Sequence, residues 1–187
     1  KSQAARGTCS IFSAAAYFES LTILQGAVQP DLSEEFLEYV IMTGKTSDGS
    51  SSPMNMGAVS RYGLPAEALM PYIGETWSSV NDSPLAQQRC GAVPKTHLKS
   101  CLLGHRDPRL LGQPLTTLGQ LDPELAKARQ DAETFRVRYL SRMSQPQYLF
   151  TSDQVKKALL EGAPLLLDLD FFYGTWNHRK ASELGIN

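Results

Sequence analysis

The stretch Gln3-Ala4-Ala5-Arg6-Gly7-Thr8-Cys9-Ser10-Ile11-Phe12-Ser13 decides how this chain reads. It passes from a loop of small residues into an apolar periodic run. From Ser10 to Leu24, Ile11, Ala14, Ala15, Phe18, Leu21 and Leu24 recur at helical spacing, and Ala16, Tyr17 and Ile23 fill much of the other side. That pattern predicts a helix buried almost all round and ending at Gly26. Cys9 stands where this helix begins. A cysteine is a nucleophile only as its thiolate, and the positive end of a helix dipole favours an anion there. Gly7 lets a substrate backbone approach. Gln3, six positions before Cys9, can offer a side-chain N–H to the volume that the Cys9 backbone N–H faces, the donor pair an acyl-transfer oxyanion needs. The competing reading is an ordinary structural cysteine at a helix start.

The 187 residues are 42% hydrophobic and 20% charged, enough for one or two domains with a core. A formal net charge of -1 creates no field that would draw nucleic acid or an anionic membrane. No apolar run approaches the roughly 18–20 residues that span a bilayer. The longest, Pro164-Leu165-Leu166-Leu167, is stopped by Asp168 and reads as a buried strand. CxxC, HExxH and clustered His/Cys spacings are all missing from the sequence, so neither a metal nor another cofactor is expected. With Cys9 assigned as nucleophile, Cys90 and Cys101 remain as an even pair in one loop-rich segment, either bridged in an oxidising compartment or free in a reducing one.

Further along, Ser33 is a suitable N-cap for a helix opening with Glu34 and Glu35. Residues 43–53 form a polar loop, and a third helix is expected from Asn55 to Tyr62, stopped by Gly63. Ile73–Gln120 looks irregular and holds His97 and His105, both expected at the surface. Asp122 and Pro123 start a helix to about Met143, with Leu125, Ala128, Ala132, Phe135, Tyr139 and Leu140 as its stripe. Ser152–Leu160 is a short helix, and Pro164–Phe172 a strand with Asp168 and Asp170 on one, solvated, face.

The opening motif resembles the nucleophile motif of papain-family cysteine peptidases, peptidase family C1. Three later blocks are similar to that family and stand in its order: Leu32–Leu37; Asp48-Gly49-Ser50, like a glycine-rich loop that pairs with an extended substrate; and Met56–Tyr72. Val155–Asp170 resembles the entry to that family's second, barrel-like domain. The resemblance implies an α+β, papain-like two-domain fold: a helical domain over 1–72 with its central helix after Cys9, an insertion and connecting helix over 73–154, and the start of a β-rich domain over 155–187. It implies Cys9 as nucleophile, Gln3 as oxyanion donor, and Gly7, Gly49 and Ser50 as substrate-binding positions. Pro53 and Met54 stand where the main specificity pocket would be lined. Three departures mark a divergent, bacterial branch: Ser10 replaces a tryptophan, Arg6 and Ser47 stand where a disulfide would be, and Ser50 replaces a second glycine. An extracellular or periplasmic location goes with that reading.

The family's general base, a histidine held by an asparagine, has no counterpart here. His178, followed by Arg179 and Lys180, is a poor candidate because neighbouring cations disfavour its protonated form. The base is therefore expected on a following segment or a second chain, this chain being one piece of a processed enzyme. The expected activity is endopeptidase cleavage of peptide or protein substrates through a thioester acyl-enzyme. The alternatives are a non-catalytic binding protein that has lost its base, and a cysteine-dependent amidase or acyltransferase.

Overall fold

A computed structural model of the chain describes residues 1–4, 6–142 and 147–168. Among these, helix accounts for 58% and strand for 1%. The α-helices are α1 (Cys9–Leu24), α2 (Glu34–Met42), α3 (Ser52–Tyr62), α4 (Pro84–Cys90), α5 (Lys95–Gly104), α6 (Leu115–Leu121), α7 (Pro123–Tyr139) and α8 (Ser152–Leu160). The only strand pairing among the described residues is a single antiparallel bridge between Leu32 and Ala66.

The expected α+β fold with a β-barrel-like second domain is therefore wrong for the described residues, which form no sheet. Residues 164–168, the described part of the expected strand, are irregular, and Leu167 is exposed. An apolar run becomes a strand only when a neighbouring strand takes its backbone hydrogen bonds, and the described chain supplies none. The rest of that strand, with Asp170, and His178 lie outside the described residues.

The apolar faces of α1, α2, α3 and α7 meet in one core. Ile11, Ala14 and Phe18 of α1 join Phe36, Leu37 and Ile41 of α2, Val59 of α3, and Leu125, Ala128, Ala132 and Phe135 of α7. Leu125, Ala128, Ala132 and Phe135 of the α7 stripe are buried as the spacing predicts, Tyr139 and Leu140 are only half-buried with Leu140 beyond the helix end, and Asp122 caps the helix by accepting from the Leu125 N–H at 2.9 Å. α1 begins and ends as expected, but it is not buried all round: Ala16, Ile23 and Leu24 are exposed. Gly63 ends α3 at φ 73°. A Cβ there would lie 1.9 Å from the Ala132 carbonyl oxygen, so the glycine also permits close approach of α7.

The segment expected to be irregular forms α4, α5 and α6. A disulfide joins Cys90 and Cys101, whose Cα atoms are 5.8 Å apart. The bridge packs with Trp77, Ala86 and Leu102 in a second, smaller cluster. The helices are short, and Pro or Gly stands at most of their ends (Pro84, Gly91, Pro94, Pro114), which is why local punctuation masked them.

Candidate functional site

Cys9 is the first residue of α1, is exposed, and is a free thiol. Its neighbourhood follows from what Thr8 does. Thr8 is the N-cap, yet its side chain makes no capping bond. Its hydroxyl lies 2.8 Å from the Tyr72 hydroxyl, which in turn donates to the Gln3 carbonyl at 3.0 Å. With the phenol proton committed to Gln3, Thr8 donates to Tyr72. The first turn of α1 is thus left without side-chain acceptors for its N–H groups. Among the described residues, the Cys9 N–H has no acceptor.

Gln3 is half-buried and folds back over the same loop, donating from its side-chain amide to the Arg6 carbonyl at 3.1 Å. An amide nitrogen carries two protons, so one donor is held and the second remains. The 48–50 loop adjoins this corner. Ser10 and Ser50 hydroxyls are 2.7 Å apart, and a Cβ on Gly7 would meet Asp48 at 3.6 Å, an ordinary contact. No described residue therefore requires a glycine at position 7. Gly49 does need to be glycine, with φ 93°. Its N–H is turned to Asp48 Oδ1 at 2.7 Å and its carbonyl accepts from Lys45 Nζ. The positions singled out from sequence, Gln3, Gly7, Cys9, Gly49 and Ser50, thus lie in one neighbourhood. Met54 is exposed beside it at the start of α3, where Ser52 donates to Asp168 at 2.5 Å.

Beneath this corner lies a buried charged cluster that sequence reasoning missed. Arg6, expected only as the replacement of a disulfide partner, is 4% exposed. Its Nη2 donates to the Leu103 carbonyl at 2.8 Å and to Glu38 Oε1, and its Nη1 to the Ile73 carbonyl at 3.2 Å. Glu35 accepts from the Ile73 N–H at 2.9 Å and lies 2.9 Å from His105 Nδ1. A carboxyl oxygen is an acceptor and a guanidinium nitrogen a donor; the shorter contact of Nδ1, 2.9 Å to Glu35 against 3.4 Å to Arg6 Nη1, assigns its proton to Glu35, and Nε2 is left buried without a partner among the described residues. His105, expected at the surface, is fully buried and packs on Trp77 with ring centroids 4.1 Å apart; His97 is half-buried. Burial pushes the Glu38 carboxyl up to about 9, outweighing the attraction of Arg6, with Glu35 and Asp48 adding in the same upward direction. Its Oε2 has no donor, which also favours the neutral acid. The available signal was the i, i+3 pair Glu35 and Glu38 on a helix that is mostly apolar after Glu34.

Among the described residues, no imidazole is hydrogen-bonded to the Cys9 sulfur, and no cluster of His, Cys, Asp or Glu could hold a metal. A cleft of about 760 Å³ lies elsewhere, between α4 and the start of α7. Its arginines are already paired, Arg89 with Glu124 at 2.9 Å, Arg109 with Asp107 at 2.6 Å, and Arg106 with Asp122 and Glu124. No helix among the described residues is long and apolar enough to cross a membrane. Comparisons with protein-family models, curated proteins and solved structures find no match.

Proposed function

We propose that the chain carries the nucleophile side of a cysteine endopeptidase. The observation that carries the reading is the free, exposed Cys9 thiol at the uncapped first turn of α1, with the Gln3 amide folded onto the same loop. Cys9 attacks the scissile carbonyl. The Cys9 N–H and the uncommitted Gln3 N–H receive the oxyanion, and the thioester that follows is hydrolysed. The peptide lies along the 48–50 loop as an extended strand, paired through Ser50 because the Gly49 N–H and carbonyl are taken by Asp48 and Lys45, with Gly7 leaving room for its backbone. A histidine outside the described residues, on this chain or on a partner segment, supplies the base. The substrate class is peptide or protein.

The test is a peptidyl epoxide, with peptide hydrolysis assayed in parallel on full-length material. One adduct per chain, mapped to Cys9, and loss of hydrolysis in Cys9→Ala are expected. Retained hydrolysis in Cys9→Ala rules the reading out. A second reading, a peptide-binding protein without a base, is favoured by the burial of His105 and its commitment to Glu35. It predicts peptide binding with no turnover and no epoxide adduct.

A further inference from the structure

We propose that Arg6 is a positioning residue for the Gln3–Cys9 site, and that the disulfide-closed insertion holds Arg6 in place, so that the insertion sets how well the site is formed. The inference rests on the peptidase reading above. It starts from where the two ends of Arg6 point. Its guanidinium is buried and reaches four places: the Ile73 and Leu103 carbonyls of the insertion, and Glu35 and Glu38 of α2. Its carbonyl, at the other end of the residue, is the acceptor that orients the Gln3 side chain. One residue therefore joins the insertion to the oxyanion donor.

The insertion's grip is continuous. The Cys90–Cys101 bridge packs with Trp77 and Leu102. Trp77 packs against His105 at a tilt, His105 donates to Glu35, and Glu35 also takes the Ile73 N–H. Each link is a packed side chain or a hydrogen bond of fixed geometry, the material through which a displacement is carried. Loop residues are otherwise free to shift, and nothing but Arg6, Thr8 and Gln3 ties this loop down between Ala4 and α1 among the described residues. A lysine at position 6 still pairs with Glu38, but its single ammonium on a flexible stem cannot hold both carbonyls in the planar fork of a guanidinium.

The experiment is a double-mutant cycle of Arg6→Lys and Gln3→Ala in the full chain. Affinity for a peptidyl aldehyde is the readout, because its hemithioacetal places an oxygen where the oxyanion forms. Iodoacetamide, which labels Cys9 as the free thiol, reports thiol exposure alone, and a thermal melt reports folding. Gln3→Ala is expected to weaken aldehyde binding about 100-fold, and Arg6→Lys about tenfold, the effect of displacing a reacting group without removing it. The double variant should be no weaker than Gln3→Ala, since Arg6 acts through Gln3. Iodoacetamide labelling should change less than about threefold throughout, as a thiol left in place requires. If Arg6→Lys does not fold, His105→Asn, which keeps a donor toward Glu35 but loses the ring packed on Trp77, is expected to repeat the same non-additivity from the insertion side. A wild-type aldehyde affinity in Arg6→Lys, or losses that multiply in the double variant, overturns the proposal while leaving the peptidase reading intact. A folded wild-type chain that binds no aldehyde and hydrolyses no peptide removes both.

Discussion

Around Arg6, the chain buries a guanidinium, two glutamates and a histidine, with Arg6, Glu35, Glu38 and His105 each at most 4% exposed. In α8, nine residues long, none is buried, although Val155, Ala158 and Leu159 line one side and Leu160 is 88% exposed. The first region puts charge where apolar groups belong, and the second leaves apolar groups where charge belongs. The difference lies in what holds each. α8 needs only local signals: Thr151 and Gln154 form a capping box, and Lys157 sits in its last turn. The Arg6 cluster has no local logic. Its partners come from positions 35, 38, 73, 103 and 105, and a charge that deep is tolerated only when several fixed groups meet it.

The contrast can be broken most strongly from the packed side. Gly63→Ala should cost roughly 4 kcal/mol or more, because the added Cβ runs into the α7 backbone at a positive φ. Chemical denaturation of the purified variant will read it. Leu118→Ala empties a fully buried site on α6 and should cost about 2–5 kcal/mol by the same measurement. Next in size is a pH effect. Glu38 is held above its unfolded value by burial, so its contribution to stability is complete below pH about 4.5 and is lost as pH rises through about 9. Stability should fall by at most ~1.4 kcal/mol per pH unit from this group. Glu38→Gln, whose amide oxygen still accepts from Arg6, should flatten that slope in melts taken from pH 5 to 9; an unchanged slope would mean another group carries it. Smallest is Leu159→Ala on α8, where the side chain is 57% exposed; a change within about 0.5 kcal/mol is expected. A loss near 2 kcal/mol would mean that α8 packs against something, and the comparison would have to be redrawn.

Much of the candidate site was legible because its signals are local. A cysteine at a helix start, a glycine two positions before it and a glutamine six positions before it are read within ten residues. Ser33 as a cap is equally local, and it accepts from the Phe36 N–H at 3.0 Å. Cys90 and Cys101 stood out as an even pair whose bridging the sequence left open, and the bridge is present. Arg6 was visible only as a departure, and Tyr72 only as the end of a later block. Their roles depend on meeting Ile73, Leu103, Thr8 and Gln3 in space. The expected strand at Pro164 failed for the same kind of reason, since pairing is a property of two segments and one was read alone.

The sequence by itself determined where α1, α2 and α8 run, where α3 ends and where α7 begins, because spacing, caps and glycine stops act within a few residues; it placed the start of α3 three residues late, at Asn55 instead of Ser52, and ran α7 past its end at Tyr139. It also determined that Cys9 opens a helix and that Gly63 closes one. Only the tertiary structure decided that the described chain is mostly helical with no sheet, that the irregular-looking segment after Ile73 folds into helices, and that Arg6, Glu35, Glu38 and His105 are interior groups. Those outcomes depend on long-range partners, and a buried charge is stable only once every one of them has arrived.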